Sequence, residues 1–495
     1  MNRWLSVLCL SVVMVLGCGS GGGSGAGDLS DTAQDAAGPG GFVLEVACDD
    51  TIDSIYSDPG SLPDAKGAII RCAPDGVMTA AQIQARADEI GYTGKPLASG
   101  ARVYRVLYRT ERGNGAPGYS SALVYLPDAP LADKLPVLVA SHGSRGQAAA
   151  CAPSLNDPAA SYVHIDFERQ VLPLVGAGFA VIAPDLAGYA NFGAAGNPPS
   201  GYLSAADEAK STLDGARALR NMVPSSLTGD VVITGHSQGG HSALSALAMS
   251  QEYGAGGKLA AVVAYAPVWF SFRMAGSIFL MTDMTIANSP GTVGVAVWYT
   301  YTSGELYDGP GGGLAPFQED KQAAIKKFVD ETCWSKSYPA LEALGTTLND
   351  IFSKEFISAI VSSAALGFDC KDKEPAKSIC EKWISRYLGD RPHITGEAAQ
   401  VPILLAYGGK DTTIPPDQFQ CGIDRLADDQ ANVTQCYLPE SGHGILPAMA
   451  GEHAADWIAH VTLGTPMTTS CPSDKILPLD GDGNPIPCMN PPPND

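Results

Sequence analysis

The chain has 495 residues, 45% hydrophobic and 17% charged, enough apolar material for a large core and a length typical of two or three domains. Its 31 basic against 52 acidic residues give a net charge of −21. That balance excludes the basic footprint of a nucleic-acid partner and gives no electrostatic attraction to anionic membranes.

Met1-Asn2-Arg3 is a short basic start, followed by an apolar run of 13 residues from Trp4 to Leu16. A membrane span needs about 20 such residues, so 1–17 reads as an export signal. The run closes on Val15-Leu16-Gly17-Cys18. This is similar to the bacterial lipobox, in which the Cys is acylated after cleavage. Cys18 is therefore the expected lipid attachment site, and the protein is expected to be an exported lipoprotein of the cell envelope. The alternative is an ordinary signal peptide that happens to contain Cys18. Residues 18–41, rich in Gly and Ser, read as a flexible tether; no other segment reads as a transmembrane span. Twelve Cys minus Cys9 and Cys18 leave an even ten. Close pairs recur at Cys48 and Cys72, Cys370 and Cys380, Cys421 and Cys436, and Cys471 and Cys488, so disulfides are expected, with connectivity open.

Val103–Arg109 and Ala122–Leu126 read as strands joined across a Gly-rich turn. Pro136–Ala140, Phe179–Ala183, Val231–Thr234, Leu259–Tyr265 and Pro402–Ala406 are continuous apolar runs, the mark of strands buried on both faces. Val433–Tyr437 is a further strand. Between them, Ser204–Leu219, Gly239–Gln251 and Ala448–His460 read as helices. Strands alternating with helices predict an α/β fold with a mostly parallel, doubly wound sheet. The core is expected over 42–267 and 400–466. It is interrupted at 268–399 by a mainly helical insertion whose first part is strongly apolar. An insertion after a sheet strand sits at the carboxyl edge, where ligands bind in open α/β sheets. It is therefore expected to be a cap with an acyl pocket; the alternative is a subdomain whose apolar residues form its own core.

The chemistry centres on Gly235-His236-Ser237-Gln238-Gly239. A lone Gly-x-Ser-x-Gly is weak evidence in a chain with 56 Gly. Here a strand, Val231–Thr234, runs straight into the motif and a helix leaves it, the setting of a nucleophile elbow. A Ser hydroxyl needs a base, and the base an orienting acid. In this fold they follow the Ser in the order acid, then His. Asp411 follows the Pro402–Ala406 strand, and His443 follows the next one between two Gly. Gln238, at the start of the helix, can present its N–H to an oxyanion. A second N–H is expected from Gly143 or Ser144 in the loop Ser141-His142-Gly143-Ser144. Asp185 reads as structural. His453 and His460 on the last helix read as surface or packing residues.

Val106-Leu107-Tyr108-Arg109-Thr110, Cys151-Ala152-Pro153-Ser154, Ala183-Pro184-Asp185-Leu186-Ala187-Gly188-Tyr189, Thr212-Leu213-Asp214-Gly215 and Gly409-Lys410-Asp411-Thr412-Thr413-Ile414-Pro415 together resemble the secretory lipase family of α/β-hydrolases. The resemblance covers roughly Val103–Pro267 and Val401–Leu463, with the insertion where that family carries its lid. It implies Ser237, Asp411 and His443 as the catalytic triad and hydrolysis of triacylglycerol or another ester. The Ser141-His142-Gly143 loop departs towards bacterial esterases, and 19–102 and 467–495 have no clear counterpart. The tail 467–495 is expected to carry a disulfide. Its Asp480-Gly481-Asp482-Gly483-Asn484 lacks the downstream Glu of a calcium loop and reads as a surface turn. The expected protein is thus a lipase or esterase that needs no cofactor or metal. Its substrate is a small-molecule or lipid ester, its membrane contact is the Cys18 anchor, and it is a monomer. A serine peptidase or amidase on the same fold, and a non-catalytic surface binding protein, are the alternatives.

Overall fold

Nine strands form one sheet in the order β1-β2-β3-β5-β4-β6-β7-β8-β9. They are β1 (Ile69–Met78), β2 (Ala101–Glu111), β3 (Pro117–Pro127), β4 (Leu135–Ser141), β5 (Val181–Pro184), β6 (Leu227–His236), β7 (Lys258–Tyr265), β8 (Ile403–Gly408) and β9 (Val433–Leu438). The computed structural model describes residues 39–155, 161–190, 197–270, 272–280, 285–362, 370, 374–414 and 416–473. The expected signal, most of the expected tether, Cys18, Cys488 and the expected turn at 480–484 lie outside them. The pairs β1–β2, β2–β3 and β3–β5 are antiparallel, and the five pairs from β5–β4 to β8–β9 are parallel. Every residue of β4, β5 and β8 is buried, as their unbroken apolar runs require of strands covered on both faces.

The helices before the insertion are α1 (Ile52–Ile55), α2 (Ala80–Glu89), α3 (Ser161–Gly176), α4 (Ala205–Met222) and α5 (Gln238–Tyr253). Five elements that pattern reading does not pick out are present: β1, α1, α2, α3 and, after β8, the helix α13 (Pro416–Asp428). Pro74 and Gly76 argue against a strand, yet β1 is the edge of the sheet, and its register shifts between those two residues. The start of α2 is fixed by a capping box: the Gln82 amide donates to the Thr79 hydroxyl, and the Gln82 side chain accepts from the Thr79 N–H.

Between β7 and β8 the described residues hold helices and no named strand: α6 (Phe272–Leu280), α7 (Pro290–Tyr307), α8 (Gln322–Glu331), α9 (Ser337–Glu342), α10 (Leu348–Ile351), α11 (Lys354–Ile360) and α12 (Ala376–Gly389). These helices have a core of their own, built around Trp298, Phe328, Phe352, Phe356, Trp383 and Tyr387. Phe270, Ala275 and Phe279 from the apolar start of the insertion are buried in that core, whereas Trp269 joins the core of the sheet. Much of the apolar run is therefore used for internal packing. The chain closes with α14 (Leu446–Leu463). No described helix is long and apolar enough to cross a membrane.

Four disulfides are described: Cys48–Cys72, Cys151–Cys333, Cys370–Cys380 and Cys436–Cys471. Two join the sequence neighbours noted above. Cys436 instead bonds Cys471, and Cys421 is also disulfide-bonded. Such bonds belong to proteins that fold outside a reducing compartment. Cys151–Cys333 fastens the insertion to the loop after β4 across 182 residues. Beside it, Gly146 and Cys333 form an antiparallel bridge, and the Trp334 amide donates to the Arg145 carbonyl at 2.8 Å. In the chain-entropy model a loop of that length is worth on the order of 5 kcal/mol. The double substitution Cys151→Ser with Cys333→Ser is expected to lower the unfolding free energy by several kcal/mol in a urea titration. An unchanged midpoint would show that the backbone contacts alone hold this junction.

Candidate active site

β6 runs into Ser237 and α5 begins at the next residue. Ser237 has φ 56° and ψ −117°, a region that costs a non-Gly residue about 1–3 kcal/mol and persists only where the surroundings enforce it. The flanking glycines are required by close approach. A Cβ on Gly235 would lie 1.8 Å from the Gly239 carbonyl oxygen, and one on Gly239 would lie 2.0 Å from that of Ser141. Backbone bonds pin the turn: the Ser237 amide donates to Tyr265 at 2.9 Å, and its carbonyl accepts from Val268 at 3.1 Å. Gln238 is the first residue of α5, so its N–H is among the helix-terminal donors without an intrahelical acceptor.

Asp411 lies three residues beyond β8, with its side chain sealed from solvent. Its Oδ1 accepts from the amides of Thr413 at 2.8 Å and Ile414 at 2.9 Å. Its Oδ2 faces His443 Nδ1 at 2.7 Å. His443, in the turn after β9, packs against His236, the residue before Ser237, with ring centroids 4.7 Å apart. His236 Nε2 lies 3.1 Å from the His443 carbonyl oxygen and donates to it. Burial holds His236 well below the ordinary imidazole range, and neighbouring His443 pushes it further down, so His236 is neutral. Arg169 fixes the same turn by donating to the Gly444 carbonyl at 2.9 Å.

Gly143 lies directly against the elbow: a Cβ there would be 3.5 Å from that of Ser237 and 3.2 Å from His236 Nδ1. The Ser144 hydroxyl is paired with Tyr202 at 2.7 Å. The structure thus brings Gly143 to Ser237 and joins Asp411 to His443. Asp185 instead takes hydrogen bonds from Ser121 and from the Ser154 amide in the interior. Of the other His, His453 contacts Thr469 and His460 contacts the Thr465 carbonyl, both at the last helix. Among the described residues no cluster of three or more His, Cys, Asp or Glu could hold a metal ion.

Behind the elbow lies a buried polar cluster that pattern reading misses: Glu208 on α4, His241 and Ser242 on α5, and Asp390 after α12. Asp390 accepts from Tyr299 at 2.7 Å and from the Ala205 amide at 2.9 Å. Burial pushes its carboxyl up to about 6, against those two hydrogen bonds. Because this value lies above the unfolded one of about 3.9, the group contributes stability that is full below about pH 4 and lost as pH rises through 6. Relative to Asp390→Asn, the wild type is therefore expected to gain about 2 kcal/mol of stability between about pH 7.5 and 4.5. Urea midpoints at the two pH values measure this, and a constant difference would contradict it.

A Ser held at positive φ between a buried strand and a helix, on a mostly parallel sheet, defines a class of protein. The chain belongs to it: the alpha/beta hydrolase family, whose model matches residues 137–461. Among solved structures it is similar to the rice cell wall degrading esterase LipA from Xanthomonas oryzae, with TM-score 0.57, 18% identity, and 81% of this chain and 99% of that one covered. It is likewise similar to a putative hydrolase from Legionella pneumophila, with TM-score 0.60, 16% identity, and 81% and 100% covered. Candida antarctica lipase A matches with TM-score 0.54 and 17% identity, over 88% of this chain and 91% of that one. At these identities the likeness is one of fold. No curated protein sequence matches the chain.

Proposed function

We propose that this protein is a carboxylic ester hydrolase of lipase or esterase type, acting through an acyl-enzyme on Ser237. The observation that carries the reading is the 2.7 Å Asp411–His443 contact, held against the residue that precedes a strained Ser. His443 Nε2 takes the Ser237 proton as Oγ attacks the ester carbonyl, while Asp411 keeps the proton on Nδ1. The tetrahedral oxyanion is stabilised by the Gln238 N–H and by a second N–H from Gly143 or Ser144. The alcohol leaves with the proton from His443, and water, deprotonated by the same imidazole, releases the acid.

Ester rather than amide substrates are favoured by the structural neighbours, which are named as an esterase and a lipase. The insertion at 268–399 acts as a cap over the site, tied down at Cys333 and Asp390. The disulfides agree with export, and the Leu16-Gly17-Cys18 sequence supports attachment of a monomer to the cell envelope through acylated Cys18. An ester chain-length series with an emulsion control tests the substrate. Turnover of p-nitrophenyl esters is expected. A rise in rate when a triacylglycerol passes its solubility limit identifies a lipase, and no rise an esterase. Faster cleavage of p-nitroanilides than of matched esters would contradict the reading.

A further inference from the structure

The carboxylate of Glu208, buried on α4, accepts four hydrogen bonds. Oε1 takes the Leu203 amide at 2.9 Å and Gln238 Nε2 at 2.7 Å; Oε2 takes His241 Nδ1 at 2.9 Å and the Ser242 hydroxyl at 2.8 Å. Three of the four donors are side chains of the first turns of α5, directly after Ser237. The other ring nitrogen of His241 lies 2.8 Å from the Asp390 carbonyl oxygen, at the end of the insertion. Both nitrogens of this ring therefore face acceptors, which requires a proton on each. The arrangement favours an imidazolium at His241 paired with Glu208. Burial opposes the charge, yet the Glu208 contact outweighs it and holds His241 above its ordinary range.

A buried ion pair adds little net stability compared with apolar packing of the same volume. A strained backbone, in contrast, survives only where its neighbours over-determine it. The cluster meets that second need, because it grips the turn that follows Ser237, strained at φ 56°, and the amide of Leu203, itself at φ 54°.

We propose that Glu208, with His241, is a positioning residue of the nucleophile elbow: it holds the first turn of α5, and with it the Gln238 N–H, in the orientation the oxyanion requires, and couples that orientation to the insertion through Asp390. The inference rests on the reading of Ser237 as nucleophile. An oxyanion donor acts in the transition state, so loosening it lowers kcat and leaves KM in place. Losing such a donor outright costs about 10²–10³ in kcat, so a misaligned one is expected to cost about 10- to 100-fold.

The test uses kcat per active site, titrated with a fluorophosphonate, and KM for a p-nitrophenyl ester. Glu208→Met combined with His241→Phe replaces the ion pair by apolar groups and is expected to lower kcat about 10- to 100-fold with KM within twofold. Glu208→Gln can keep all four contacts around a neutral His241 and is expected to recover most of that loss. Gln238→Ala retains the backbone N–H and cuts only its tie to Glu208; a kcat loss of several-fold at constant KM is expected. Should the double variant fail to fold, Gln238→Ala decides. Wild-type kcat per site in the folded double variant or in Gln238→Ala would overturn the proposal, as would a loss appearing in KM instead. Ser237→Ala run in parallel separates the two levels. If it is inert while the cluster variants turn over normally, only this inference fails; if it hydrolyses the ester normally, the reading of the site fails with it.

Discussion

Replacing Ser237 by Ala is expected to lower kcat for ester hydrolysis by on the order of 10⁶, the loss seen when the nucleophile of another serine hydrolase is removed. The substitution deletes one oxygen at the tip of the elbow. Gly235, Gly239 and the backbone bonds to Tyr265 and Val268 are untouched, so the fold and its thermal midpoint should hold. KM should change little, because the hydroxyl contributes to the transition state far more than to ester binding. Steady-state rates on a short p-nitrophenyl ester, together with a thermal melt, measure both. A Ser237→Ala protein within tenfold of wild type would show that another group carries the reaction.

Asp411→Asn is expected to cost about 10⁴ in kcat while leaving the protein folded, as a wrong imidazole tautomer does in a Ser-His-Asp site. The proposed mechanism and the hydrogen bonds of Asp411 lead to this outcome. Oδ1 of Asp411 accepts two backbone N–H groups, from Thr413 and Ile414. An Asn in the same place must keep its carbonyl oxygen on that side and turn its NH₂ towards His443 Nδ1. That nitrogen then has to accept, which moves the ring proton to Nε2 and points a donor at the Ser237 hydroxyl where an acceptor is needed. The loss should lie in kcat at near-constant KM. Wild-type turnover in Asp411→Asn would mean that His443 is not the base, or that a different carboxylate orients it.

The strands most plainly legible in the sequence are those buried on both faces. β4, β5, β8, most of β7 and the second half of β6 are runs of apolar residues that no exposed segment would carry, and the elbow is legible from its Gly spacing only together with the strand before it and the helix after it. β1 is not legible, because only part of it is buried and Pro74 and Gly76 interrupt it. The Asp411–His443 contact is foreshadowed by chain order, since the two residues follow the carboxyl ends of the parallel neighbours β8 and β9.

Connections between distant segments leave no local pattern. Cys151–Cys333 spans 182 residues, and a count of Cys cannot select that pair. Glu208, His241 and Asp390 come from two helices and the end of the insertion, and only folding makes them one cluster. A buried His at the fourth position of an apolar-looking helix could have signalled a hidden partner, but not which one. The apolar start of the insertion carries the opposite lesson. A segment rich in Phe, Met and Trp predicts burial without saying against what, and Phe270 and Phe279 are spent on the insertion's own core.

Covalent labelling is the most direct test of acylation at Ser237. The protein is incubated with a fluorophosphonate probe, its intact mass is recorded, and the modified peptide is mapped. One adduct per chain is expected, on Ser237, absent from Ser237→Ala and much slower to form in His443→Ala. Full ester turnover without any adduct, or a stoichiometric adduct on another residue, would rule out Ser237 as the nucleophile.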